Sequence, residues 1–186
     1  MKTIQVEIEG TSALLMHSPK MMLEKALNGL NDELKSTKKG LKYDLKKEAE
    51  NAAYRMKSGE LFIPAEAIYG CLIQAASFYK IQKKSANSVI AGTVRINPGE
   101  IGLGTKKYEI DLRTVCIQRS RIVRARPKLN KWKAQFEIIY NNDMISDPNI
   151  LKAILTEGGL RIGILDFSPR HKGSFGCFKI KSWKVK

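Results

Sequence analysis

Residues 158–178, GGLRIGILDFSPRHKGSFGCF, limit the folds open to this chain more than any other stretch. Gly158, Gly159, Gly163, Gly173 and Gly176 supply backbone freedom where a side chain would obstruct a turn or the close approach of another chain. Ahead of them, Ile150, Leu151, Ile154 and Leu155 recur at helical spacing behind Ser146 or Asp147 as cap and Pro148 as leader, and Gly158 with Gly159 is expected to stop that helix. Behind them, FGCFKIKSWKV alternates imperfectly, as a bulged strand does. The stretch thus joins a helix to a final strand. It also carries Arg161, Arg170, His171 and Lys172, and exposed amides beside cations make a seat for phosphate. In the plainer alternative the glycines only cap a helix and turn into a strand.

The rest of the chain builds toward that segment. Ile4, Val6 and Ile8 alternate with Thr3, Gln5, Glu7 and Glu9, a half-buried strand that Gly10 ends. A turn follows in which Leu14, Leu15 and Met16 look inward while His17, Ser18 and Lys20 can face a ligand. Residues 21–57 are helix-prone but interrupted, a helical excursion with a narrow apolar stripe. ELFI forms a short strand, and Pro64 starts a helix running to about Lys80 with Ile68, Leu72, Ala75, Ala76 and Tyr79 on its packed face. The turn-rich, lysine-bearing span 81–111, with Lys83 and Lys84 near its start and VIAGTVRI as a strand, is expected to protrude as a hairpin or arm. Strands near 112–118, 122–126 and 133–140 precede the last helix. The order strand, helix, strand, strand, helix, strand predicts an α+β, ferredoxin-like βαββαβ domain over 1–186, an arrangement also used by RNA-recognition modules.

Charge narrows the partners. The formal net charge is +15 over 186 residues, and RSRIVRARPKLNKWK contains no acid. From Arg161 onward Asp166 is the single acid. Such asymmetry predicts a polyanionic partner bound with strong salt dependence. Arg119, Arg121, Arg124 and Arg126 are expected to form a guanidinium ladder on one face of a strand, and Trp132, Phe136, Tyr140, Tyr108, Phe167 and Trp183 offer stacking surfaces. Cys71, Cys116 and Cys177 are isolated among apolar neighbours and read as buried thiols of a reducing, cytoplasmic compartment. The N-terminus lacks a signal-peptide pattern, and no apolar run spans a bilayer, so no membrane partner is expected.

Chemistry has few candidates. His17 and His171 are the two histidines, and a metal-independent ribonuclease could use one as base and the other as acid. Asp32, Asp44 and Glu48 could assist metal-dependent phosphodiester cleavage, or simply solubilise. No P-loop, nucleophile elbow or zinc-protease helix occurs, and GLGTKK lacks the third glycine of a dinucleotide fingerprint, so no cofactor and no resident metal are expected.

GGLRIGILDFSPRHKGSFGCFKI resembles the glycine-rich loop of the RAMP superfamily of CRISPR proteins, and IQVEIEGTSALLMHS is similar to that superfamily's first strand and turn. The C-terminal run is also similar to that of small virus- or prophage-borne proteins ending in GIGDxRPxxGxF, with Leu165 and Asp166 here in place of Gly-Asp. The likeness covers both ends of the chain. It implies a RAMP-type palm with an inserted thumb hairpin, for which 81–111 is the candidate. It implies a sequence-nonspecific RNA-binding subunit in antiviral defence, which polymerises along a guide RNA with copies of itself and other effector subunits. By the same likeness Gly158, Gly159, Gly163, Arg170, Lys172, Gly173 and Gly176 contact RNA. Two alternatives remain: a RAMP endoribonuclease with His17 as catalytic residue, and a viral or mobile-element protein that binds single-stranded DNA or mimics a RAMP subunit.

Overall fold

The computed structural model describes residues 1–20, 23, 44–117 and 120–186. Asp32, Arg119 and the side chain of Cys116 lie outside the described residues. The period-two pattern of the N-terminus forms β1 (Lys2–Gly10), and the two-residue β2 (Leu14–Leu15) follows. Helix α1 (Leu45–Ala52) begins where the Asp44 carboxylate accepts the amides of Lys46 and Lys47, an N-cap that satisfies two otherwise orphaned donors. β3 (Phe62–Pro64) leads into α2 (Ala65–Ala76), and β4 (Lys80–Ile81) with β5 (Lys84–Ser85) makes a tight hairpin before α3 (Ala86–Thr93). Gln82 and Lys83 both have positive φ there, as a primed two-residue turn requires. Next come β6 (Val94–Asn97), β7 (Glu100–Gly102), the long pair β8 (Glu109–Ile117) and β9 (Ser120–Leu129), and β10 (Lys133–Tyr140). Helix α4 (Asn149–Glu157) opens where the Asp147 carboxylate accepts the Asn149 amide, and β11 (Phe178–Val185) closes the chain.

The main sheet runs β11-β1-β10-β6 with every neighbour antiparallel. It is an α+β architecture. Ile4, Val6 and Ile8 of β1 and Ala134, Phe136, Ile138 and Tyr140 of β10 point to one side and are buried with Ile68 and Leu72 of α2 and Leu151, Ile154 and Leu155 of α4. Each fully buried Leu or Ile contributes about 1.5–3 kcal/mol, so this two-layer core is the main source of stability. The expected bulge in β11 is present: the register shifts between Glu7 and Ile8, leaving Lys181 between Ile180 and Ser182. The bulge keeps both Ile180 and Trp183 opposite the inward residues Ile8 and Val6.

Several expectations change. The span 81–111 is not an arm: Ile81, Ala86, Val89, Ile90, Val94 and Ile101 are buried in the core cluster, and β6 is an edge strand of the main sheet. VIAGTVRI divides into the end of α3 and β6, because its apolar residues pack at helical spacing until Thr93. The long ribbon is instead β8–β9, paired in continuous register from Glu109↔Lys128 to Ile117↔Ser120. Helix α2 ends at Ala76, four residues before the expected Lys80. Gly158 and Gly159 do not stop α4. The chain continues through a π turn, Gly158–Ile162, and turns away at Gly163, whose φ is +67°.

Candidate nucleic-acid interface

The two ends of the chain meet at one place. The amide of Asp166 donates to Leu15 O, that of Gly176 to Ala13 O, and that of Thr11 to Cys177 O. The Ser12 hydroxyl accepts the Cys177 amide, and Trp132 Nε1 donates to Ser12 O. These bonds hold the 163–177 loop against the N-terminal turn, so its floor is fixed by backbone pairing rather than by a core of its own. The glycines are explained there. A Cβ at Gly159 would collide with the Phe178 backbone, at Gly173 with the Phe167 carbonyl, and at Gly176, where φ is +70°, with the Ile164 carbonyl. A Cβ at Gly158 would lie 2.9 Å from Cys71 Sγ, and one at Gly163 would lie 2.8 Å from Pro169 Cδ. Their small size serves the chain's own packing. Above this floor Arg170, His171 and Lys172 are exposed, carried on the short turn Pro169–His171. Leu165, Phe167 and Lys172 all take positive φ, a concentration of strained backbone that costs of order 1 kcal/mol or more per residue.

Beside the crest lies an ionic cluster. His17 Nδ1 is 3.7 Å from Asp166 Oδ2, and Arg126 Nη1 is 2.7 Å from the same oxygen. Burial alone would push the Asp166 carboxyl up, but His17, Arg126 and the Phe167 amide outweigh it and hold the group below the usual aspartate value. Arg126 Nε has no hydrogen-bond partner among the described residues. Arg113 pairs with Asp111 through Nε at 2.6 Å and places its guanidinium 4.6 Å from the Phe175 ring and 5.6 Å from that of Phe167. This contact turns a cation of the ribbon toward the loop.

The arginine ladder does not form. Side chains alternate across a strand, so Arg121 lies on one face of β9 and Arg124 and Arg126 on the other, with no register shift to reunite them. Arg124 Nη1 meets Glu48 Oε1 at 2.9 Å, and Glu48 Oε2 accepts the Ala125 amide, which docks α1 onto β9. Glu48 and Asp44 are therefore occupied within the chain and are not free metal ligands. Arg161 pairs with Glu157 at 2.9 Å and lies 4.8 Å over the Phe78 ring. Lys83 and Lys84 are exposed, but on the separate β4–β5 turn. His17 keeps 55% of its side chain exposed, and neither an ion pair nor a hydrogen bond joins it to His171 among the described residues.

No protein-family model and no curated protein matches this sequence. Solved structures do. A chain in the cryo-EM structure of the Type III-B Cmr-beta bound to cognate target RNA matches 99% of this chain with a TM-score of 0.60 at 15% identity. The two share a fold. This chain spans 60% of that one's length.

The open face of the main sheet argues against base stacking in the manner of RNA-recognition modules. Gln5, Glu7 and Glu9 face Glu137, Gln135 and Lys133 across the β1–β10 register, a row without aromatics and with three carboxylates. Of the aromatic candidates, Trp132, Phe136 and Tyr140 are buried, and Trp183 packs against the core. Tyr108 donates to Glu50 at 2.8 Å, and burial, then that carboxylate, pushes its phenol up to about 12. Phe167, 37% exposed, is the one of the six on the crest. Cys71 is buried, with its thiol pushed up to about 12 chiefly by burial, whereas Cys177 is half-exposed rather than buried. Sequence reasoning missed Asp166, Arg113 and Phe175. Asp166 carried a signal, as the lone acid of a basic C-terminal segment.

Proposed function

We propose that this chain is a sequence-nonspecific RNA-binding subunit of a CRISPR-type effector, with the four-stranded sheet, α2 and α4 as a ferredoxin-like, RAMP-type palm and β8–β9 as its thumb. In chain order the sheet runs 4-1-3-2 with two interleaved β-α-β units, which supports the palm assignment. The observation that carries the function is the exposed row Arg170, His171 and Lys172 on a floor fastened to the His17 turn. Cations on a rigid support bind phosphate without first being ordered, so less binding free energy is lost to entropy. Arg121, Lys20, Lys83 and Lys84 add an outer positive field that steers a polyanion. Copies of the chain would line up along the strand with other effector subunits. Purified protein titrated with labelled single-stranded RNA of mixed sequence should bind with a steep salt slope and run as multimers with RNA. Protein that ignores RNA at low salt ends this proposal, and preferential capture of single-stranded DNA replaces it with the mobile-element alternative.

A second reading has its own observation. The contact between His17 Nδ1 and Asp166 Oδ2 orients an imidazole that keeps 55% of its side chain exposed, the arrangement a general base needs. RNA cleavage lost in His17→Ala and kept in His171→Ala would establish an endoribonuclease; no cleavage by the wild-type protein removes it.

A further inference from the structure

A cavity of about 300 Å³ opens beside the His17 turn, between Ser18, Lys20, Tyr54 and Phe62, with Arg55 and Ala53 in its wall. Its size is at the low end of small-molecule sites, enough for one ring system rather than an extended ligand. Tyr54 and Phe62 meet edge to face at 5.7 Å and 66°, so one ring supports the other at the opening. The site is anchored to the ionic cluster from below: the Tyr54 hydroxyl donates to His17 O at 3.4 Å, and the Ser18 amide donates to Ala52 O at 2.8 Å. Arg55 is fixed by two bonds to Glu50 at 2.6 and 2.8 Å, and cannot swing into the opening without breaking both. Burial, then the charges of Asp166 and Glu66, pushes the Tyr54 phenol up, so it stays a neutral donor at physiological pH. A mostly apolar slot with a supported aromatic wall, linked through His17 and Asp166 to the loop that carries the basic crest, fits a flat heteroaromatic attached to a phosphate chain.

We propose that this slot receives a single unstacked nucleobase of the strand whose phosphates lie on Arg170, His171 and Lys172, seated against Tyr54 and Phe62. The proposal rests on the nucleic-acid reading above and adds a base-dependent component to it. Stacking against an aromatic wall tolerates any base, so the slot contributes affinity without sequence preference.

The test compares two single-stranded oligoribonucleotides of equal length, one normal and one abasic throughout, in direct binding to the wild-type protein, Tyr54→Ala and Tyr54→Phe, each first checked by thermal melting. The wild-type protein should bind the normal strand about 5- to 150-fold more tightly than the abasic one. Tyr54→Ala should abolish most of that ratio while leaving abasic affinity unchanged, and Tyr54→Phe should keep it. Phe167→Ala guards against stacking at the crest and should leave the ratio intact. Equal wild-type affinity for both strands overturns the slot and leaves phosphate binding standing, and so covers the case in which the chain's own residues fill it. A ratio lost only in Phe167→Ala overturns it too. Binding of neither strand overturns the nucleic-acid reading itself. Should Tyr54→Ala not fold, quenching of a 2-aminopurine base in the wild-type complex, relieved in Phe62→Leu, supports the slot in its place, and its absence refutes the slot.

Discussion

The final loop and the β9 strand both carry an excess of cations in sequence but differ in what they do with their charge. On the loop, Arg170, His171 and Lys172 are exposed on a glycine floor and form no ion pair among the described residues. On β9, Arg124 and Arg126 turn inward to Glu48 and Asp166, and Arg126 keeps only 11% of its side chain exposed. The difference teaches that a count of arginines measures the field around a protein, whereas partners within the fold decide which of them a ligand can reach. Paired cations hold elements together; unpaired ones are left for phosphate.

That contrast can be broken at the floor first. Gly176→Val puts a side chain at φ +70° against the Ile164 carbonyl and should cost about 3 kcal/mol in chemical denaturation, or prevent folding. A cost below about 1 kcal/mol would mean the loop is not packed as described. Next, Asp166→Ala leaves Arg126 partly buried without its carboxylate and should cost about 2 kcal/mol, part of which Arg126→Met restores in the double variant. Simple additivity would show that the pair does not act as a unit. At the crest, Arg170→Ala and Lys172→Ala should change stability by no more than about 0.5 kcal/mol. Each should instead weaken RNA binding and lower the salt slope by about 0.7 for every phosphate no longer neutralised, whereas Arg124→Gln leaves the slope alone. Equal slopes in all three would erase the distinction between crest and strand.

The smallest effect is in acid. The folded Asp166 carboxyl titrates below its unfolded counterpart, so its contribution to stability is whole above the unfolded value of about 3.9 and is lost as pH falls through the folded one. The stability gap between the wild-type protein and Asp166→Asn should therefore narrow below about pH 4, as followed by urea unfolding across pH. A gap constant through that range would mean the carboxylate is not held by His17 and Arg126.

Much of the core was legible because apolar period alone places it. Ile4, Val6 and Ile8 announced β1, and Leu151, Ile154 and Leu155 announced α4, each by spacing that only one backbone satisfies. The span 81–111 misled because its glycines and lysines resemble a loop, while Val89, Ile90 and Val94 find their burial only in the tertiary core. The ladder failed on parity: 121 is odd and 124 and 126 are even, and a strand sends them to opposite faces.

By itself the sequence determined the alternation of strands and helices, the excess of positive charge and the need for small residues in the last turn. Those follow from local sterics and composition, which neighbours along the chain express. Tertiary structure alone decided that Asp166 holds Arg126 and stands beside His17, that Glu48 takes Arg124, and that Tyr54 and Phe62 frame a slot next to that turn. The charged pairs lie far apart in the chain, and only the packing of sheet, ribbon and loop brings an opposite charge within the few ångströms where it matters.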